Sequence, residues 1–76
     1  MTAEDLKAML QAEFAGAQID VMGEGANYSV KVVSDLFESK RAVQRQQMVY
    51  AVLNNVIASG EVHAVTMDLK TNAEAG

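Results

Sequence analysis

The metal chemistry open to this 76-residue chain is limited by its single histidine, His63, and by the absence of cysteine. Without thiolates the chain alone can build neither a zinc-thiolate nor an iron-sulfur site, and it has no disulfide and no cysteine nucleophile. Imidazole nitrogen can nevertheless replace thiolate on iron. His63 is therefore either one ligand of a metal site that a partner completes, or a half-buried residue at the edge of the core beside Val62 and Val65.

A second group of residues suited to binding is basic. Arg41 and Arg45 lie one helical turn apart near the start of the predicted second helix. Cations at that end oppose the helix dipole and lower the stability of the helix, and an anionic partner would offset this loss. The alternative is a solvated face, and the formal net charge of −4 argues against indiscriminate binding to nucleic acid. Four of the six basic residues lie within fifteen positions: Lys31, Lys40, Arg41 and Arg45.

The remaining motifs do not support catalysis. Ser34, Asp35 and His63 could be combined as a triad, but no nucleophile-elbow sequence surrounds the serine. The run Gly23-Glu24-Gly25 is too short for a dinucleotide-binding or phosphate-binding loop. We therefore predict that the chain is not an enzyme.

The elements that must position these residues follow from apolar periodicity. Spacings of three and four predict a helix at about residues 3–14 and a second from residue 41 to Gly60, possibly broken near its start. Alternation predicts strands at residues 17–22, 28–33 and 62–70. The resulting order, α-β-β-α-(α)-β, predicts an α/β (α+β) domain with a three-stranded sheet and helices on one face.

Several side chains receive specific expectations from these patterns. Leu36 and Phe37 should both pin the loop before the second helix, and Tyr50 should be a core residue with its hydroxyl at the edge. His63 should lie in the third strand, on the face that carries Val65. Residues 71–76 should be frayed, and a chain this short predicts a single domain spanning residues 1–76.

Targeting and membrane signals are not evident. Residues 1–7 lack the basic and then apolar order of a secretory signal. The apolar runs fall short of the roughly 20 residues that span a bilayer. We expect a cytoplasmic protein without membrane contact.

Motifs between residues 30 and 69 resemble BolA-like proteins, in particular their short IbaG-type branch. The resemblance includes most of the chain, because the glycine-rich hairpin turn also fits. Its elements occur in order as Leu36-Phe37, Arg41, Gln47-Met48-Val49-Tyr50 and Val62-His63-Ala64-Val65.

The resemblance implies a fold similar to the type II KH arrangement and two alternative functions. In the first, the chain partners a monothiol glutaredoxin in iron and stress regulation, and the two proteins share a [2Fe-2S] cluster with glutathione. His63 then matches the family's histidine ligand. Asn27 stands where relatives often carry a second ligand, and its amide oxygen is a poor ligand for iron. Glu24 and Tyr28 are weak substitutes for that ligand.

The second function implied by the resemblance is transcriptional regulation through DNA, for which Lys31, Lys40, Arg41 and Arg45 are the candidate residues. The Gly-x-x-Gly loop by which KH domains hold a nucleic-acid backbone is absent. Tyr28 is the only aromatic residue in the predicted strands, so no stacking platform is evident. The same basic residues would suit glutathione carboxylates or an acidic protein surface.

Overall fold

The computed structural model describes all 76 residues and confirms an α+β fold with a three-stranded sheet. A short 3-10 turn at Asp35–Phe37 precedes the second long helix. None of the helices combines the length and the hydrophobicity that a transmembrane segment requires. The other elements, in chain order, are α1 (Ala3–Glu13), β1 (Gln18–Glu24), β2 (Asn27–Val33), α2 (Ala42–Ala58), β3 (Ala64–Lys70) and α3 (Asn72–Ala75).

Strand β2 is the central strand of the sheet. It pairs antiparallel with β1, so that Glu24 lies opposite Asn27 across the hairpin turn. It pairs parallel with β3, so that Asn27 also lies opposite Ala64. Because parallel strands begin at the same edge of a sheet, the hairpin turn and the residues just before β3 lie at the same end.

The two faces of the sheet differ in burial. On one face, alternate strand residues join α1 and α2 in the core, while the other face carries exposed polar side chains such as Asp20, Lys31 and Asp68. This is the expected alternation for a sheet covered on one side. The core consists of eleven buried residues: Leu6, Leu10, Phe14, Ile19, Tyr28, Val30, Val32, Phe37, Val49, Leu53 and Val62.

Expectations for two residues and for one helix differ from the structure. The 3-10 turn buries Phe37 completely, whereas its neighbour Leu36 is 53% exposed, because adjacent residues in a turn point in different directions. Tyr50 is 44% exposed, because the buried side of α2 runs through Val49 and Leu53 and leaves Tyr50 outside it. Helix α2 is also continuous, without the suggested break.

Residues 71–76, which the sequence predicts to be frayed, instead contain α3. The buried Thr71 caps this helix by accepting a hydrogen bond at Oγ1 from the Glu74 amide, at 3.2 Å. The Asn72 amide donates to Asp35 Oδ1 at 3.2 Å. Contacts with distant parts of the chain therefore order a segment that is too short to be stable on its own.

The backbone around Gly23 leaves no space for a side chain. Its φ of 128° suits glycine, and a Cβ there would lie 2.3 Å from the Asn27 carbonyl oxygen. We expect Gly23→Ala to lower the free energy of unfolding by at least about 1 kcal/mol more than a control substitution does. The control is Gly16→Ala, because Gly16 has a φ of 81° and no atom within 4 Å of its Cβ position. Urea unfolding of both variants checks this, and equal losses would contradict it.

Candidate functional site

His63 lies just before β3, whereas the sequence predicts it inside the strand, and it is exposed, unlike the half-buried edge residue that was one of the two alternatives. The difference begins at Val62, which is buried and whose amide donates to the Val56 carbonyl of α2 at 3.1 Å. The chain thus leaves the helix layer at Val62 and joins the sheet only at Ala64. His63 is the residue at the crossing point, and its side chain is accessible to a partner.

The backbone of His63 is attached to the hairpin turn. The His63 amide donates to the Ala26 carbonyl at 2.7 Å, and the Ala64 amide donates to the same oxygen at 3.1 Å. One carbonyl therefore joins the turn between β1 and β2 to the first residues of β3. This contact fixes the His63 backbone to the hairpin turn.

Asn27 lies at the same end of the sheet as His63. It is the first residue of β2, and it is exposed in a row with Glu24 on one side and Ala64 on the other. The structure therefore brings together the two positions that the family resemblance singles out. It offers an imidazole, an amide and a carboxylate at one exposed end of the molecule.

Tyr28, one of the substitutes considered for the second ligand, has a different role. Its side chain is buried, and its hydroxyl lies 2.9 Å from the Met1 carbonyl oxygen and 3.0 Å from that of Gly25. The hydroxyl therefore connects the start of the chain to the hairpin turn. Glu24 is the remaining exposed candidate.

The donor set fits a shared metal site better than one held by this chain alone. No group of three or more His, Cys, Asp or Glu side chains comes together in the structure. An iron-sulfur cluster needs four protein or small-molecule ligands, mostly sulfur. One exposed imidazole can supply one of them, whereas the Asn27 amide is a poor match for iron.

The four basic candidates are divided between two regions. Lys31 lies on the uncovered face of the sheet, directly between Asp20 and Asp68 in the strand register. Its positive charge is thus flanked by two carboxylates. Lys40 and Arg41 are exposed together just before the first residue of α2.

Arg45 is largely buried by contacts within the chain. Its Nε donates to the Lys40 carbonyl at 2.9 Å, and its Nη1 donates to the Leu69 carbonyl at 3.2 Å. The guanidinium also forms an ion pair with Glu74, with Nη1 and Oε1 2.7 Å apart. It lies 5.8 Å from the centre of the Phe37 ring. Arg45 therefore connects α2, β3 and α3, and its charge is already paired.

Glu74 is the residue at this end of the molecule that sequence reasoning overlooked. The Arg45 guanidinium lowers the pKa of Glu74 from its ordinary value of 4.5 to about 2, chiefly through their hydrogen bond, and the Thr71 amide contributes next. The spacing Thr71-x-x-Glu74 is the sequence signature of a capping box. That signal could have identified α3, although the ion pair with Arg45 could not be read from spacing.

Comparison with known proteins agrees with the motifs and the fold. A family model described as BolA-like protein matches residues 7–74. A protein of Acinetobacter guillouiae named for the rpoN-murA intergenic region is 47% identical over 97% of this chain and 89% of its own length. The acid stress protein IbaG of Escherichia coli K12 is 31% identical over 97% of this chain and 88% of its own length.

Among solved structures, BolA1 from Arabidopsis thaliana superposes with a TM-score of 0.86 at 26% identity, over 97% of this chain and 95% of that one. The resemblance inferred from the sequence motifs is thereby confirmed.

The lowered pKa of Glu74 predicts acid-sensitive ordering of α3. Because the folded pKa lies below the unfolded value of 4.5, the ionised Glu74 stabilises α3 fully above pH 4.5, and this stabilisation is lost as the pH falls toward about 2. An NMR titration should give a Glu74 midpoint near 2, with the Ala75 amide shift changing in parallel. A midpoint near 4.5 would show that the ion pair is absent in solution.

Proposed function

Because this chain belongs to the BolA-like family, we propose that it binds a monothiol glutaredoxin and supplies His63 as one ligand of a [2Fe-2S] cluster that the two proteins share with glutathione. The chain acts as an accessory or regulatory factor in iron handling and stress response, and catalyses no reaction itself. A stress role agrees with the name of its relative, the acid stress protein IbaG. We place this function in the cytoplasm, where partner thiols stay reduced.

The observation that carries this proposal is the exposure of His63 on a fixed backbone. A ligand to a shared cluster must be reachable by the partner, and His63 is exposed at one end of the sheet. It must also be held in place, and two hydrogen bonds to the Ala26 carbonyl do this. Both requirements are met at the position that the family motif identifies.

The bound cluster would supply an iron atom for His63 to coordinate, and nitrogen ligation raises the reduction potential of such a centre relative to thiolate. This chain's contribution is to present the imidazole. Asn27 beside it offers little to iron. We therefore expect the shared cluster to be less stable than one in which both positions carry strong ligands.

Regulation through DNA is the alternative function, and the charges support it less. Arg45 is paired with Glu74, and Lys31 lies between Asp20 and Asp68. Only Lys40 and Arg41 remain as adjacent exposed cations. Contacts of this kind would go to phosphates and would not distinguish sequences.

Absorption and circular dichroism spectra of the chain mixed with a monothiol glutaredoxin, iron, sulfide and glutathione test the proposal. The mixture should give a spectrum distinct from that of glutaredoxin alone, because a nitrogen ligand changes the electronic structure of the iron. His63→Ala should abolish this difference. Since His63 is exposed, the substitution should change the free energy of unfolding by no more than about 0.5 kcal/mol.

A melting curve of His63→Ala is the control that separates ligand loss from unfolding. The proposal would be wrong if the wild-type chain left the glutaredoxin spectrum unchanged. It would also be wrong if a folded His63→Ala variant produced the same change as wild type. DNA binding lost on substitution of Lys40 and Arg41, without any spectral change, would favour the alternative function.

The neighbouring position gives a test in the opposite direction. Asn27→His places a second imidazole at the start of β2, at the same end of the sheet as His63. We expect the shared cluster to persist longer, measured as slower decay of its absorption in air. The matched control is Ser29→His, which adds an exposed imidazole on the same face two residues further along β2. Equal decay for both variants and wild type would contradict a ligand role for position 27.

A further inference from the structure

The contact between Arg45 and Glu74 has the geometry of a bound carboxylate. Glu74 Oε1 lies 2.7 Å from Nη1 of Arg45, and Oε2 lies 3.4 Å from Nη2. Two further donors of the guanidinium are directed to the Lys40 and Leu69 carbonyls. Two parallel contacts of this kind are the typical way in which arginine recognises a carboxylate.

The segment that carries Glu74 is weakly held. Helix α3 has only four residues, which is below the length at which a helix is stable without outside contacts. Its attachments are the capping contacts of Thr71, the hydrogen bond from Asn72 to Asp35, and the ion pair of Glu74. The Glu74 side chain is itself 49% exposed. Such a contact can be displaced by a competitor.

The surroundings of this ion pair favour an anion. A cavity of about 420 Å³ extends along the edge of β3 beside α2, and its charged lining residues are Lys40, Arg45, Asp68 and Glu74. The Asp68 carboxylate is itself paired with Lys70, with Oδ1 and Nζ 3.8 Å apart. Arg41, the residue next to Lys40, is also exposed and has no acidic partner. Helix α2 has no acidic residue in its first turn. Without Glu74, Lys40 and Arg45 would therefore line this cavity with no carboxylate paired to them, and the exposed Arg41 follows Lys40 directly.

We propose that Lys40, Arg41 and Arg45 form a carboxylate-binding site that Glu74 occupies from within the chain, and that an acidic segment of a partner protein binds there by displacing α3. The occupant seen in the structure is a carboxylate, which favours an acidic protein segment over a nucleic-acid backbone. This site does not depend on His63 or on a cluster. Helix α3 competes with acidic partners for this site, because Glu74 already occupies it, and so weakens their binding.

An NMR titration with an end-capped decaglutamate peptide at low ionic strength tests the proposal, because salt screens contacts of this kind. Glu74→Gln keeps the size of the side chain but removes its charge, so the peptide should bind about fivefold more tightly than to wild type. The matched control is Glu13→Gln, which changes the net charge equally at the end of α1. That variant should bind like wild type.

Two further measurements keep the test decisive if Glu74→Gln proves unstable. In the wild-type chain, the amide signals of Ala75 and Gly76 should shift as the peptide is added, because α3 leaves its position. In the Lys40→Gln, Arg41→Gln double variant, both of whose substituted residues are exposed, peptide affinity should fall.

Equal affinity of Glu74→Gln and Glu13→Gln, or wild-type α3 signals that do not move, would overturn the proposal. A parallel titration with a short DNA duplex distinguishes the ligand class. If Glu74→Gln strengthened binding to the duplex but not to the peptide, the site would be a phosphate site and the acidic-partner proposal would be wrong.

Discussion

Parallel pairing between β2 and β3 is the constraint on which the arrangement of this molecule depends. It brings Asn27 and Ala64, which are far apart in sequence, into register at the same end of the sheet. Helix α2 makes this possible, because parallel strands require a crossover connection and a helix provides it. Exposed His63 follows from the same constraint, since it lies where the chain returns from the crossover and meets the hairpin turn.

Strand β3 also separates the two candidate binding regions. Its first residue follows His63, and its last residues lie beside Arg45 and α3. A strand of seven residues is about 23 Å long, so charges at one end have little influence at the other in physiological salt. Substitutions at His63 and substitutions around Arg45 should therefore have independent effects, although both regions adjoin the same strand.

Local patterns account for most of the fold. The spacing of Leu6, Leu10 and Phe14 identifies α1, and alternation around Val30 identifies β2, because burial of one face imposes those periods. The resemblance to BolA-like proteins identifies His63 as a candidate ligand and Asn27 as the position of a second one. The strand register that places them at one end of the sheet comes from the parallel pairing, which periodicity alone does not specify.

The features that escaped prediction depend on contacts between distant residues or on the direction of single side chains. Arg45 and Glu74 are 29 positions apart, so no spacing rule links them, although their ion pair is one of the contacts that order α3. Leu36 and Phe37 are both large and apolar, yet a one-residue step in a 3-10 turn buries only Phe37. Hydrophobicity alone does not determine which of these two residues is buried and which is exposed.

Isotope labelling can show whether His63 coordinates the iron of the shared cluster, because the chain contains one histidine. The chain would be prepared with ¹⁵N-histidine, mixed with unlabelled monothiol glutaredoxin, iron, sulfide and glutathione, reduced, and measured by pulsed electron paramagnetic resonance. We expect a strong hyperfine coupling between the cluster and ¹⁵N that is absent when the chain is unlabelled. A reduced cluster in the mixture without that coupling would contradict coordination by His63.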